Sequence, residues 1–267
     1  MKKVSIFIQI LMIVFAFQGC SFLSAAGFNR QDQPIKKVGK DLFYQMELNE
    51  SEIDHSQWDV LLKKYVGTDG LVDYKGFLND KEELEDYLEY LAQNPPDNSW
   101  RVQELLAYYI NLYNAYTVNL ILDNYPVKSI KDLNRPWTSS FVRVGNEILT
   151  LGGVENSILR KMDEPRIHFA INCASLSCPD LLNEAYQAST IEEQLDRVTH
   201  TFINGTKNDL SDDTINISMI FKWYKKDFKV NGQKDLIAYI NQYTSTKINH
   251  NAKVAFKEYH WELNERK

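Results

Sequence analysis

The sequence predicts one α+β domain, with a small mixed or antiparallel sheet packed on a buried central helix. Three observations carry that prediction. Helical and extended patterns are interspersed, without the strict strand–helix alternation of a parallel α/β fold. The longest helical pattern, residues 100–123, is apolar around most of its circumference, which places it centrally. A short apolar run at residues 167–171, inside RIHFAINCASLSCPDLL, reads as a core strand that breaks at a Ser/Cys/Pro turn.

The chain opens with an address. Met1-Lys2-Lys3 is a cationic start, and residues 4–17 are almost wholly apolar. A permanent membrane helix needs about 20 apolar residues, so this stretch suits a signal peptide instead. Phe17-Gln18-Gly19-Cys20 resembles a bacterial lipobox, with Phe17 where that motif usually has Leu. The resemblance implies a lipid on Cys20 and membrane attachment through it. The alternative is a plain signal peptide with an incidental Cys. By analogy with Gram-negative sorting, Ser21 after Cys20 points to the outer membrane, with the folded domain in the periplasm or at the cell surface. The expected organisation is a signal peptide at 1–19, a tether at 20–41 and a domain at 42–267.

Composition bounds the rest. With 267 residues, 44% hydrophobic and 25% charged, the chain has an ordinary globular balance. Roughly 230–245 residues remain after the leader, enough for a sizeable core. The formal charge is −6, and it becomes −8 once Lys2 and Lys3 are removed with the leader. No basic block interrupts this, which argues against a nucleic-acid partner, because phosphate contacts dominate that affinity.

Within the domain, Ser56 is placed to cap a helix carrying Trp58, Leu61, Leu62 and Tyr65, which Gly67-Thr68-Asp69-Gly70 ends. Residues 81–93 repeat at helical spacing through Leu84, Tyr87, Leu88 and Leu91, up to Asn94-Pro95-Pro96. Ser99 opens the central helix. Asn111 and Asn114 lie three apart on it and share a face. Buried amides without partners cost about 1–3 kcal/mol each, so these two either tie down neighbouring loops or line a site. A hairpin follows around Gly145-Asn146, then a short helix at 154–161 with Glu155 in its first turn. Ser189 and Glu192 have capping-box spacing before a helix through Leu195, Val198 and Phe202. Residues 214–218 alternate like a strand, 235–243 read as helical, and 254–263 as a last extended segment.

Together these pieces resemble a bacterial and plant family called domain of unknown function 547. The similarity runs through AYYINLYNAYTVNLIL (107–122), EPRIHFAINCASLSCPDL (164–181), Phe221-Lys222-Trp223-Tyr224 with Asp227-Phe228, and the tail YHWELN (259–264), covering about residues 56–264. That family's activity is unassigned. The resemblance implies that Glu155, His168 and Cys173 belong together. Many members carry Glu-His where this chain has Glu155-Asn156.

Three chemistries compete for the His/Cys motif. In the first, Cys173 is a nucleophile and His168 its base, with Asn111, Asn114 or Glu155 orienting the imidazole and Arg166 holding a substrate carboxylate. On a regular strand, residues five apart face opposite sides, so this needs the strand to end before Cys173. In the second, Cys173 and Cys178 pair as a disulfide in an oxidising envelope, and the domain binds or scaffolds without catalysis. A third, a metal site from His168, Cys173, Cys178 and a carboxylate, has an uncommon spacing, and neither a metal nor another cofactor is expected. The reading adopted is an envelope lipoprotein that binds a small molecule or peptide in a polar pocket near Cys173, with Glu155, Arg166, Asn111, Asn114 and Ser177 contributing. Its alternative is a thiol-dependent hydrolase or acyl transferase acting on a peptide-like bond, with Cys173, His168 and Glu155 as the catalytic residues.

Overall fold

The computed structural model describes residues 25–27, 32–39, 53–211 and 213–267. The expected signal peptide at 1–19, Cys20 and about half of the stretch read as a tether lie outside the described residues. Where that stretch is described, it lies on the domain: Gln33 and Pro34 are buried, and the Val38 N–H donates to Met162 O.

The described residues form an α+β domain around one helix. Helix α1 (Ser56–Tyr65) buries the predicted Trp58, Leu61, Leu62 and Tyr65. A short turn of helix, α2 (Tyr74–Phe77), is capped by Asp73, whose side chain accepts from Gly76 N. Helix α3 (Lys81–Gln93) has the bounds its periodicity predicts. Trp58, Phe77 and Tyr87 stack between these elements, with the Trp58 and Tyr87 rings 6.0 Å apart at 9°. Each large side chain buried here contributes about 1.5–3 kcal/mol relative to exposure.

The central helix, α4 (Val102–Asp123), is buried on every side along most of its length. Its start departs from expectation. The Glu104 carboxylate accepts from the Arg101 N–H at 2.8 Å, so helix begins at Val102, and Ser99 turns back to Asp97 instead. Polar atoms on α4 are spent on tethering: the Tyr108 hydroxyl donates to Leu91 O, and the Tyr116 hydroxyl accepts from Arg143 N.

Strands β1 (Val142–Val144) and β2 (Glu147–Leu149) pair antiparallel about Gly145, which holds φ +57°. A helical stretch follows as α5 (Leu151–Gly153), a π-turn at Val154–Ile158 and a 3-10 turn at Leu159–Met162.

The predicted core strand at 167–171 is instead a single turn of helix, α6 (Ile167–Ala170), and only Ile171 is extended. A short apolar run fits a buried helix as well as a buried strand, and here local bonds decide. Glu164 accepts from the Arg166 N–H, and the Ile171 N–H donates to Ile167 O.

Helix α7 (Ile191–Asn204) packs its apolar face as predicted, but the expected capping box does not form. Thr190 is the N-cap without a side-chain bond, and Glu192 pairs with Arg166 instead. A charge-assisted bidentate pair is the stronger bond.

Beyond α7, β3 (Asp209–Leu210) pairs antiparallel with β4 (Thr214–Ile217). Helix α8 (Met219–Trp223) follows, then the β5 (Lys229–Val230) and β6 (Gln233–Lys234) ribbon and α9 (Leu236–Ile240). Strand β7 (Lys253–Phe256) pairs parallel with β4, which makes the three-stranded sheet mixed. The extended tail past β7 lies beside the 174–177 turn. Leu176 N donates to Glu262 O, and Ser177 N to His260 O.

Candidate functional site

A cavity of about 330 Å³ opens where α4, the π-turn, α6, α8 and the C-terminal tail converge. Its polar groups are Glu155 and Asn156 on the π-turn, His168 on α6, and Cys173 with Cys178 on the turn that follows. Much of the wall is aromatic: Trp137, Trp223, Tyr224, Tyr259 and Trp261. Trp261 is the hub, with ring centroids 4.6 Å from Tyr259, 5.8 Å from Trp137 and 5.9 Å from Trp223. Gly152 is required for this wall. A Cβ there would stand 2.8 Å from Trp137 O, which accepts the Gly152 N–H.

His168 is buried and held on two sides. Its ring stacks on Tyr224 with centroids 3.9 Å apart, and its Nε2 bonds Asp227 Oδ2 at 2.9 Å. Asp227 is also gripped by Arg160 through Nε and Nη2. Burial alone would raise the Asp227 carboxyl, but the bonds from His168 and Arg160 outweigh it and hold it well below the usual carboxylate range. A carboxylate accepts only, so Nε2 carries the proton. Nδ1 is then the other ring nitrogen, and it is buried without a hydrogen-bond partner among the described residues.

Glu155 is buried and accepts a hydrogen bond from the Tyr224 hydroxyl. Burial, then the neighbouring Glu155 charge, pushes the Tyr224 phenol far above its usual value, so it stays a donor. A π-turn places successive side chains out of α-helical phase and recurs at functional sites. Here it faces Glu155 and Asn156 to the cavity. Asn156 is anchored by bonds to Ala25 O and Gly152 O and accepts from Arg160.

Cys173 lies on the turn after α6, where Ala174 takes φ +56°. Its sulfur is 2.9 Å from Cys178 Sγ, and 3.3 Å from both Ser175 Oγ and the Tyr259 hydroxyl. Both cysteines are free thiols. The hydrogen bond from Cys178, then those from Ser175 and Tyr259, lower the Cys173 thiol against the opposing effect of burial. Burial pushes Cys178 far up.

The structure therefore brings Glu155, His168 and Cys173 to one cavity, and the helical turn removes the opposite-face objection that a strand would raise. No hydrogen bond joins His168 to Cys173 among the described residues; the imidazole is bonded to Asp227 instead. The other expected ligand contacts are elsewhere. Asn111 spends its amide on both the N–H and the carbonyl of Tyr186. Asn114 does the same across α6, donating to Ala170 O and accepting from Asn172 N. Arg166 is clamped between Glu164 and Glu192 and has no free edge for a carboxylate. Ser177 Oγ accepts from His260 N and faces a separate surface depression.

The partners that hold the site, Tyr224, Asp227, Ser175 and Tyr259, carried no sequence signal beyond their presence in long motifs. Among the described residues, no cluster of three His, Cys, Asp or Glu is placed to hold a metal ion, and no helix is long and apolar enough to cross a membrane.

Residues 98–203 match the family model described as protein of unknown function, DUF547. This stretch of the chain is similar to that family. No curated protein and no solved structure matches the chain. The DUF547 match is narrower than the expected 56–264. It takes in Glu155, His168, Cys173 and Cys178, whereas Tyr224, Asp227, Tyr259 and Trp261 lie beyond it.

Proposed function

We propose that this protein is an envelope lipoprotein whose domain binds a small amphipathic molecule or short peptide, held at the outer membrane by lipid on Cys20. The observation that carries the binding reading is the composition of one cavity. An aromatic wall supplies apolar contact area, and Glu155, His168 and Cys173 supply a few convergent polar groups, the usual make-up of a ligand site. The lipobox-like Gly19-Cys20 at the end of an apolar leader supports the location.

Binding is tested by ligand-detected NMR of the full chain against a panel of short peptides and small amphipathic molecules. Trp223 is 44% exposed at the cavity edge, so its removal spares the core. Trp223→Ala is expected to weaken every genuine binder by about thirtyfold, the scale of a lost aromatic anchor. Binders indifferent to that change and to Glu155→Gln sit elsewhere and count against the cavity. Location is tested by mass spectrometry of the mature N-terminus. A diacylglycerol-modified Cys20 is expected, and an unmodified terminus at another residue contradicts the anchor.

A second reading, thiol-dependent hydrolysis or acyl transfer, is favoured by one feature. The Asp227–His168 bond leaves Nδ1 without a partner among the described residues, and His168 and Cys173 line the same cavity. Substrate binding would have to bring that nitrogen and the sulfur together. Single turnover on an activated thioester separates the readings. Acyl-enzyme formation lost in Cys173→Ser and slowed in Asp227→Asn supports catalysis, and no acylation of the wild type rejects it.

A further inference from the structure

The pairing of the two thiols has a consequence that neither ligand binding nor hydrolysis requires. Cys173 and Cys178 are separated by a four-residue turn, and their sulfurs lie 2.9 Å apart. A disulfide needs about 2.05 Å, so closure takes a movement of under roughly 1 Å. The two sulfurs are not equivalent. Both line the cavity, but Cys173 is partly exposed whereas Cys178 is 3% exposed. Cys173 Sγ has three polar neighbours, Ser175 Oγ, the Tyr259 hydroxyl and Cys178 Sγ, while Cys178 Sγ accepts the Cys173 backbone N–H.

We propose that Cys173 and Cys178 form a thiol–disulfide exchange pair, with Cys173 as the attacking sulfur and Cys178 as the resolving sulfur. The oxidant is a small disulfide that enters the cavity. The Cys173 thiolate attacks one of its sulfurs, a mixed disulfide forms, and the first half leaves as a thiolate that takes up a proton. Cys178 then loses its proton and attacks the Cys173 sulfur. The mixed disulfide breaks, the second half leaves as a thiol, and the Cys173–Cys178 bond closes. Two electrons pass from the protein to the small disulfide, and two thiol protons end on its two halves. The lowered Cys173 thiol and the raised Cys178 thiol agree with this order of attack.

The test uses the reduced full chain, oxidised glutathione as probe, and peptide mapping by mass spectrometry, which separates these thiols from Cys20. The wild type is expected to lose two hydrogens across Cys173 and Cys178 and to retain no glutathione. Cys178→Ser is expected to accumulate glutathione on Cys173 at least about tenfold faster than Cys173→Ser accumulates it on Cys178, as follows from one partly exposed, more acidic thiol and one buried thiol. The wild-type arm needs no variant to fold. A wild type that keeps both thiols free, or that holds a lasting mixed disulfide, overturns the proposal. Equal glutathione uptake by the two variants overturns the assigned order.

Discussion

At the scale of single residues, the site consists of side chains tuned by their neighbours. Tyr259 is the clearest case. Its hydroxyl lies 3.3 Å from Cys173 Sγ and receives a bond from Ser175 Oγ at 3.0 Å, so it is oriented to donate to sulfur. Removing one such bond costs about 1 kcal/mol. Tyr259→Phe should therefore slow alkylation of Cys173 near neutral pH by about fivefold and shift the pH profile of that reaction upward. An unchanged profile means the hydroxyl does not support the thiolate. Asp227 is a positioning residue of the same kind, since it holds His168 Nε2 while Arg160 grips its carboxylate from the other side. It is 23% exposed, so solvent weakens the pair. Asp227→Ala should still cost about 1–3 kcal/mol, because His168 Nε2 loses its acceptor and Arg160 keeps only its bond to Asn156. The midpoint of urea unfolding reads that loss. None of these pairings was legible in the sequence. The Tyr259–Cys173 contact spans 86 residues and the Asp227–His168 contact 59, and no local pattern encodes separations of that length. What the sequence did supply was the company of Glu155, His168 and Cys173 in ordered motifs.

At the scale of elements, legibility followed periodicity. The spacing of Leu84, Tyr87, Leu88 and Leu91 gave α3 to the residue, and the apolar girth of α4 marked it as central. The short run at residues 167–171 that contains α6 carried no period, and the side-chain bonds that fix its two ends come from Glu164 and Asn114, one local and one distant. Asn114 in effect caps the C-terminal end of α6 and sets the angle at which the chain reaches Cys173. Asn114→Ala leaves Ala170 O and Asn172 N without that partner inside the core. Unsatisfied buried groups cost about 1–3 kcal/mol each, so a loss of about 2–4 kcal/mol is expected in thermal or chemical unfolding. A loss below 1 kcal/mol would mean the turn holds its shape without the amide. The capping box predicted before α7 failed for a related reason. Glu192 had a stronger bond available to Arg166 than to a backbone N–H, and only the tertiary structure reveals that choice.

At the scale of the whole molecule, burial keeps some titratable groups neutral. His55 is the case outside the cavity. It is buried beside the Tyr87 hydroxyl, 2.7 Å from Nδ1, and burial lowers its imidazole to about 4 against an ordinary value of 6.5. The unfolded chain then binds more protons than the folded one between those two values, so stability falls as pH drops from 6.5 toward 4. At 1.36 kcal/mol per unit the loss approaches about 3 kcal/mol. His55→Gln should flatten unfolding free energy across that window, and an unaltered slope assigns it to other groups. The cavity belongs to this scale as well, because α4, the π-turn, α6, α8 and the tail each supply part of it.

Cys173 lines a ligand-sized cavity together with His168 and Glu155. Alkylation of the reduced, folded full chain by iodoacetamide, followed by peptide mapping, tests this most directly. Cys173 is expected to be modified well before Cys178 while the protein remains folded, with a change in the fluorescence of the surrounding tryptophans. Two thiols that stay inert until denaturant is added would contradict it and place that corner in sealed core packing.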